Sequence, residues 1–157
     1  MLKPICSEGK CNDRSDWPPG DWDNEPDRVD FTHAGFACLL HRGPLGAWCG
    51  YVGVPKDHPY FGKEYDHVAV EVHGGLTFAS ECHGHVCHIA DEEVWWFGFD
   101  CSHAGDLVPG LQRFHNLTRA KFPLPENFES FLHESYKDLN YVKKETISLA
   151  QQLAQIK

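Results

Sequence analysis

Basic residues are scarce in this sequence: 14 Lys and Arg stand against 23 Asp and Glu, which gives a formal net charge of -9. Binding to the phosphates of DNA or RNA, or to an anionic membrane surface, depends on clustered Lys and Arg. The charge balance therefore argues against nonspecific nucleic-acid binding and against membrane association. It leaves open a small anionic ligand that is held by a local basic or backbone-amide pocket.

Long apolar runs are also lacking. No stretch approaches the roughly 20 apolar residues that span a bilayer, and the start, MLKPICSEGK, has no apolar region of a secretory signal. We therefore expect a soluble, cytoplasmic protein whose seven cysteines are reduced and serve as core residues or metal ligands. The motifs GxxxxGK[ST], GxGxxG, HExxH and GxSxG are absent as well.

Apolar and aromatic residues are plentiful, at 41% and 13% of 157 residues, which is enough for one hydrophobic core. Short apolar runs at 36–40, 47–54, 67–75 and 93–100 are typical of strands, and the first two flank a turn that contains Gly and Pro. From Asp138 onward, apolar side chains recur three and four residues apart. This spacing predicts an amphipathic helix that Asp138 or Asn140 can cap.

The order of these elements predicts an α+β fold in one domain, 1–157. A small, largely antiparallel sheet occupies 31–110, and a C-terminal amphipathic helix over 136–157 packs against it. Residues 1–30 are acidic and contain Pro and Gly, which indicates an irregular, solvated acidic arm whose two Trp side chains contact the body. A further short helix is expected over 125–133.

Ionisable side chains gather at the ends of two predicted strands. We name these five the strand-end residues: Glu71, His73, Asp100, His103 and Asp106. Alternation places the first two on one face of the strand at 67–75, where a buried carboxylate requires a partner such as His, Arg or a metal. If the two strands are neighbours, all five converge on one site. The alternative is purely structural, with Asp side chains capping turns and a local Glu–His hydrogen bond.

Cysteine and histidine are concentrated between residues 82 and 88. Cys82 and Cys87 have a C-x4-C spacing, as do Cys6 and Cys11, and two such pairs can form a structural zinc site that joins the N-terminal arm to the body. The alternative is a His-rich loop whose cysteines are small buried residues.

An aromatic set, consisting of Trp48, Tyr51 and Tyr65, lies near several glycines. Flat ligands such as nucleobases stack on side chains of this kind. The alternative is that these rings belong to the hydrophobic core.

Four segments resemble a group of small uncharacterised bacteriophage and bacterial proteins: GAWCGYVGVP (46–55), EVHGGLTFA (71–79), WWFGFDCSHAGDLVPG (95–110) and YKDLNYVKKETISLAQQLA (136–154). The resemblance begins at residue 46 and excludes the acidic arm. It implies a phage-type accessory protein that acts in the cytoplasm of a bacterial host. Some small phage accessory proteins bind or degrade host signalling nucleotides, and the resemblance itself brings no catalytic residue with it.

Three hypotheses follow. In the first, the protein binds a small polar, nucleotide-derived ligand, on which the aromatic set stacks while His73, Asp100 and His103 hydrogen-bond to it. In the second, the strand-end residues form a metal-dependent, phosphoesterase-like hydrolase, in which Glu71 is the general base and the other four hold a divalent cation such as Mg²⁺, Mn²⁺ or Zn²⁺. In the third, the acidic arm binds and inhibits another protein. The first is ranked slightly above the second, and both above the third, because no strong catalytic motif is present and because of the resemblance to phage proteins.

Overall fold

The computed structural model describes residues 12–84, 86–87, 93–123, 125 and 134–157. Within them, five strands form one antiparallel sheet in the spatial order β1-β2-β3-β5-β4. The strands are β1 (Arg28–His33), β2 (Phe36–Arg42), β3 (Trp48–Pro55), β4 (Phe78–Ser80) and β5 (Val94–Asp100). The helices are α1 (Gln112–Lys121) and α2 (Leu139–Ala154), and short 3₁₀ turns cover Asp21–Asn24, Tyr65–His67 and Pro109–Leu111. The predicted α+β fold is confirmed.

Helix α2 covers one face of the sheet. It begins after Asp138, whose carboxylate accepts a hydrogen bond from the backbone N–H of Tyr141, as expected of an N-cap residue. Its buried residues repeat at helical spacing and pack into the main core beside the buried side chains of β2, β3 and β5. Gly50 on β3 makes this close approach feasible, because a Cβ there would lie 2.2 Å from Oγ1 of Thr146 on α2.

The opposite face of the sheet carries a smaller core. Leu39, Val86, Val94 and Trp96 are buried there, and the ring of Tyr51 packs against them. Because side chains alternate along a strand, β3 directs consecutive residues to the two opposite faces. The sheet therefore separates the main core under α2 from this second cluster.

The predicted strand at 67–75 is wrong. Residues 68–77 form neither strand nor helix, and β4 begins only at Phe78. The segment lies instead along α2, where the side-chain amide of Gln152 accepts a hydrogen bond from the backbone N–H of Glu71 and donates one to its carbonyl. The valines at 68, 70 and 72 still pack against the core. The alternating valines thus correctly indicated an extended chain. Its backbone hydrogen bonds, however, are made with side chains of α2 and not with a neighbouring strand.

The acidic N-terminal segment is anchored by buried ion pairs. Asp27 is fully buried and pairs with both Arg14 and Arg42, and Glu25 also pairs with Arg42. The guanidinium of Arg42 is itself fully buried and lies 4.4 Å from the centre of the Trp48 ring. Residues 28–30, predicted as part of the arm, belong to β1. Two carboxylates of the arm therefore face inward and hold it to the sheet.

Helix α1 was not predicted, and none of its residues is buried. Phe114 and Leu117 on α1, and Phe122 after it, are exposed. The helix predicted over 125–133 falls almost entirely outside the described residues. Among the residues that the structure describes, no helix is both long and apolar enough to cross a membrane.

Candidate functional site

Three segments bring four of the strand-end residues together, and we call this group the His–Asp cluster: His73, Asp100, His103 and Asp106. His73 comes from the extended segment along α2, Asp100 ends β5, and the other two lie in the loop that follows. The centres of the two imidazole rings are 5.9 Å apart. Both rings therefore lie within reach of one small ligand, although the strand pairing expected to bring them together does not exist.

His73 is held at both ring nitrogens. Its Nε2 lies 2.8 Å from Oδ2 of Asp106, and its Nδ1 lies 2.8 Å from the hydroxyl oxygen of Tyr141. Its backbone N–H donates to the carboxylate of Glu145. An ionised carboxylate only accepts hydrogen bonds, so Nε2 carries a proton, and in the neutral ring Nδ1 accepts from Tyr141. The ring is fixed in position and in tautomer.

Asp106 is the most buried member of the cluster, with 2% of its side chain exposed. Besides His73, it accepts a hydrogen bond from the backbone N–H of His103 and lies 3.2 Å from Nζ of Lys137. Burial by itself would raise the pKa of Asp106, but the hydrogen bonds from His73, His103 and Lys137 outweigh it and hold the pKa below its usual range. Asp106 is therefore ionised at neutral pH and orients its neighbours.

Asp100 is held from two sides. The Thr77 hydroxyl donates to Oδ2 at 2.9 Å, and the Ser102 hydroxyl donates to Oδ1 at 2.6 Å. Burial would raise the pKa of Asp100, but the hydrogen bonds from Ser102 and Thr77 and the nearby His103 ring lower it below its usual range. About a quarter of this side chain remains exposed, so its negative charge is accessible to a ligand.

His103 differs from His73 because its Nε2 lacks a hydrogen bond within the described part of the chain. This buried atom lies 3.4 Å from Oδ1 of Asp100, while 35% of the side chain is exposed. A buried polar atom without a partner costs about 1–3 kcal/mol. Because Nε2 itself is buried, a ligand can reach His103 only through the exposed part of its side chain.

Glu71 does not share the environment predicted for it. The residue is exposed, and its described hydrogen bonds run from its backbone to the Gln152 side chain. The expectation of a buried carboxylate is therefore wrong, because the extended segment turns its valines inward and residue 71 outward.

The aromatic set does not form one stacking surface. Trp48 is fully buried on the α2 side of the sheet, whereas Tyr51 packs against the second core on the other side. Tyr65 lies in a 3₁₀ turn and is 43% exposed. Tyr51 alone lies on the same face as Asp100, because Cys49, two residues before it on β3, is the cross-strand partner of Asp100. Burial raises the pKa of Tyr51 well above its usual range, so its hydroxyl stays protonated.

Cys82 and Cys87 are joined as a disulfide, with their Cα atoms 4.7 Å apart, and are not reduced thiols as expected. The short loop between them brings the two residues face to face. Cys6 and Cys11 lie outside the described residues. Across the described ranges, no group of three or more His, Cys, Asp or Glu is arranged to hold a metal ion. The four-cysteine zinc site stays a prediction, and it requires this disulfide to be reduced.

Of the remaining cysteines near the site, Cys101 is buried and Cys49 is partly buried. Burial raises the pKa of the Cys49 thiol to about 11, and burial, with Asp106 and Cys49 nearby, raises that of Cys101 still further. Both thiols are therefore protonated at neutral pH. A thiolate nucleophile requires a lowered pKa, so neither thiol has the environment of a reactive cysteine.

Sequence reasoning missed Tyr141 and Lys137, which contact His73 and Asp106 respectively. One signal was present, because Tyr141 and Glu145 are four residues apart and so share one face of α2 beside its buried stripe. Nothing in the sequence indicated that this face meets the segment that carries His73.

No family model, curated protein or solved structure matches this chain. The resemblance to small phage and bacterial proteins accordingly stays a prediction. Any function must be argued from the His–Asp cluster itself.

Proposed function

We propose that the protein binds a small polar ligand at the His–Asp cluster, and that His103 and Asp100 contact it. The observation that carries this proposal is the His103 ring, whose side chain is 35% exposed, beside the partly exposed, charged carboxylate of Asp100. A ligand that offers a donor to Asp100 and packs against the exposed part of the His103 ring would contact both. Such gatherings of ionisable groups are typical of functional sites.

The site is organised before a ligand arrives. Asp106 holds His73 and the backbone of His103, and Ser102 and Thr77 hold Asp100. Side chains fixed in this way lose little conformational entropy when a ligand binds, which favours affinity.

The surrounding groups favour the nucleoside part of a nucleotide-derived ligand. Nucleobases and ribose offer N–H and O–H donors that suit the Asp100 carboxylate, and the Tyr51 ring lies on the same face of the sheet. Lys137, which contacts the cluster, is already paired with Asp106. We therefore expect the base or sugar to contribute more to affinity than the phosphates.

Thermal-shift and calorimetric titrations test the proposal. The probes are nucleosides, cyclic dinucleotides, ADP-ribose and NAD, titrated into wild-type protein, His103→Ala and the control His67→Ala. The His67 side chain is 71% exposed, and its Nε2 lies 3.9 Å from Oδ1 of the adjacent Asp66. At least one probe should stabilise the wild type and the control, and His103→Ala should lose about tenfold or more in affinity, or about 1.4 kcal/mol. The proposal would be refuted if none of these probes stabilised the wild-type protein, or if His103→Ala bound the probe as tightly as the wild type.

Metal-dependent hydrolysis is the second candidate, since the cluster unites two carboxylates with two imidazoles, all of them ligand types for divalent cations. It ranks lower because the described residues contain no group of three or more such side chains arranged to hold a metal ion, and because Asp106 and Asp100 already accept hydrogen bonds from protein donors, which a metal would have to displace. Metal analysis of the purified protein, followed by phosphoesterase assays with Mg²⁺, Mn²⁺ and Zn²⁺, tests it. Bound metal together with turnover that His73→Ala abolishes would favour hydrolysis over simple binding.

A further inference from the structure

We infer that Tyr141, His73 and Asp106 form a hydrogen-bond chain through which the site exchanges a proton with its ligand. The Tyr141 hydroxyl is the group of this chain that contacts the ligand. The inference rests on the proposed ligand site and adds acid–base chemistry to it. Three separate segments supply the three residues, so the chain exists only in the folded protein.

Only Tyr141 can connect this chain to a ligand. Asp106 is almost completely buried, and both ring nitrogens of His73 are engaged. A phenolic oxygen has one proton and two lone pairs, so Tyr141 can serve His73 and still hydrogen-bond to a second group. The Tyr141 residue is partly exposed, which permits that contact.

The charges around the chain suit a transferable proton. Lys137 lies 3.2 Å from the Asp106 carboxylate and 5.7 Å from the centre of the Tyr141 ring. Burial, together with the negative charge of Glu145, raises the pKa of Tyr141. Tyr141 therefore keeps its proton at neutral pH and acts as a relay; it does not rest as a phenolate.

The proton transfer balances as follows. In the resting state the Tyr141 hydroxyl donates to Nδ1 of His73, and its oxygen accepts a hydrogen bond from an O–H or N–H of the ligand. The ligand proton moves to the Tyr141 oxygen while the original Tyr141 proton moves to Nδ1. The products are a deprotonated ligand, a neutral Tyr141 and a His73 cation paired with Asp106. The reverse sequence protonates a ligand, so the chain can act as general base or general acid.

The ligand is therefore expected to carry an acidic O–H or N–H that can give its proton to Tyr141. Alternatively, the proton comes from a water molecule that is held beside the ligand and acts as the nucleophile. The ionisable groups that face the chain are Glu145 from α2, Lys137 from the segment before it, and His103, Asp100 and Cys101 from β5 and the loop after it. Any pH profile of the chain will include their titration.

The test uses the ligand-free protein, so its failure is separate from failure of the ligand screen. Nitrogen NMR of labelled histidines should show a protonated Nε2 and an acceptor Nδ1 in the neutral form of His73. In the cationic form of His73, exchange of the Nδ1 proton with solvent should be slower in Tyr141→Phe by about a hundredfold, the lower end of what a positioned proton-transfer group contributes.

The control is Tyr65→Phe, which removes a hydroxyl from an exposed ring elsewhere in the fold and should leave exchange at His73 unchanged. Circular dichroism establishes that each variant is folded, and Tyr141→His, which restores a titratable group, should recover part of the exchange rate. Exchange that is unchanged or faster in folded Tyr141→Phe overturns the inference, because Tyr141 would then only pack against His73.

Discussion

Gly74 lies directly against the imidazole of His103: a Cβ on Gly74 would stand 2.2 Å from Nε2 of that ring. Gly74 also has a φ of +67°, in the left-handed region that glycine tolerates best. Two independent features thus favour glycine at this position: the backbone conformation and the close approach of the His103 ring.

Replacing Gly74 by Ala should displace His103 and destabilise the fold. Left-handed backbone costs a residue with a Cβ about 1–2 kcal/mol, and the clash with His103 adds to this. Urea denaturation gives the loss of unfolding free energy, and the NMR signals of His103 report its displacement. Gly75→Ala is the matched control, since its φ is +80° but none of the described residues comes within 4 Å of its added Cβ. Equal effects of the two variants would contradict the contact.

Arg42→Ala should be severely destabilising. Removing the guanidinium leaves Glu25 without its cationic partner and Asp27 with Arg14 alone, and loss of one partner of a buried ion pair costs about 3–5 kcal/mol. Lys56→Ala, which breaks an exposed pair with Glu93, should cost at most about 1 kcal/mol. Chemical denaturation of both variants measures the difference, and similar losses would show that the buried network contributes little.

The same network determines how the acidic arm can be tested as a protein-binding surface. Deleting residues 1–30 removes Asp27 and the start of β1, so we expect the truncated chain not to fold. Neutralising the exposed acids instead (Asp13, Asp16, Asp21 and Asp23) should keep the native circular dichroism spectrum. Loss of partner capture by this folded variant would favour the inhibitor hypothesis, and retained capture would exclude these four acids as the contact surface. Loss of native structure in the neutralised chain would contradict the prediction.

Asp106 should make stability depend on pH in the acidic range. Its pKa is lowered in the folded protein, so its contribution is fully present above the unfolded value of about 3.9 and is lost as pH falls through the folded value. The difference in unfolding free energy between wild type and Asp106→Asn should therefore be largest near neutral pH and shrink with acidification. Urea titrations at several pH values measure it, with the exposed Asp57→Asn as control. A difference that stays constant with pH would contradict the assignment.

Reducing the Cys82–Cys87 disulfide should lower the melting temperature. A loop of this length constrains the unfolded chain by about 2 kcal/mol in the chain-entropy model. Reduction also loosens Val86, which packs beside Trp96, and the Cys87 carbonyl, which accepts from Arg28. Calorimetry with and without a reductant measures the shift. The double variant Cys82→Ser, Cys87→Ser should melt at the lower temperature and be insensitive to reductant; sensitivity in that variant would assign the effect to other cysteines.

Local patterns determined much of the fold. The apolar runs of β2, β3 and β5 predicted strands, and the capping residue Asp138 with the spacing of Val142, Thr146 and Leu149 predicted α2 and its buried face. These features succeed because alternation and helical spacing depend only on neighbours in the chain. Asp100, His103 and Asp106 could likewise be grouped from the sequence, because they lie within seven residues of one another.

The partners of that group depended on the tertiary structure. The valines at 68, 70 and 72 predicted an extended chain facing the core, but only packing decided that side chains of α2 would hold it. That choice brought His73 between Tyr141 and Asp106, which are 35 residues apart in the sequence. Contacts between residues so far apart produce no repeating pattern in the sequence from which they could be predicted. The sequence by itself therefore determined which ionisable residues were available, and the packing of α2 decided which of them meet.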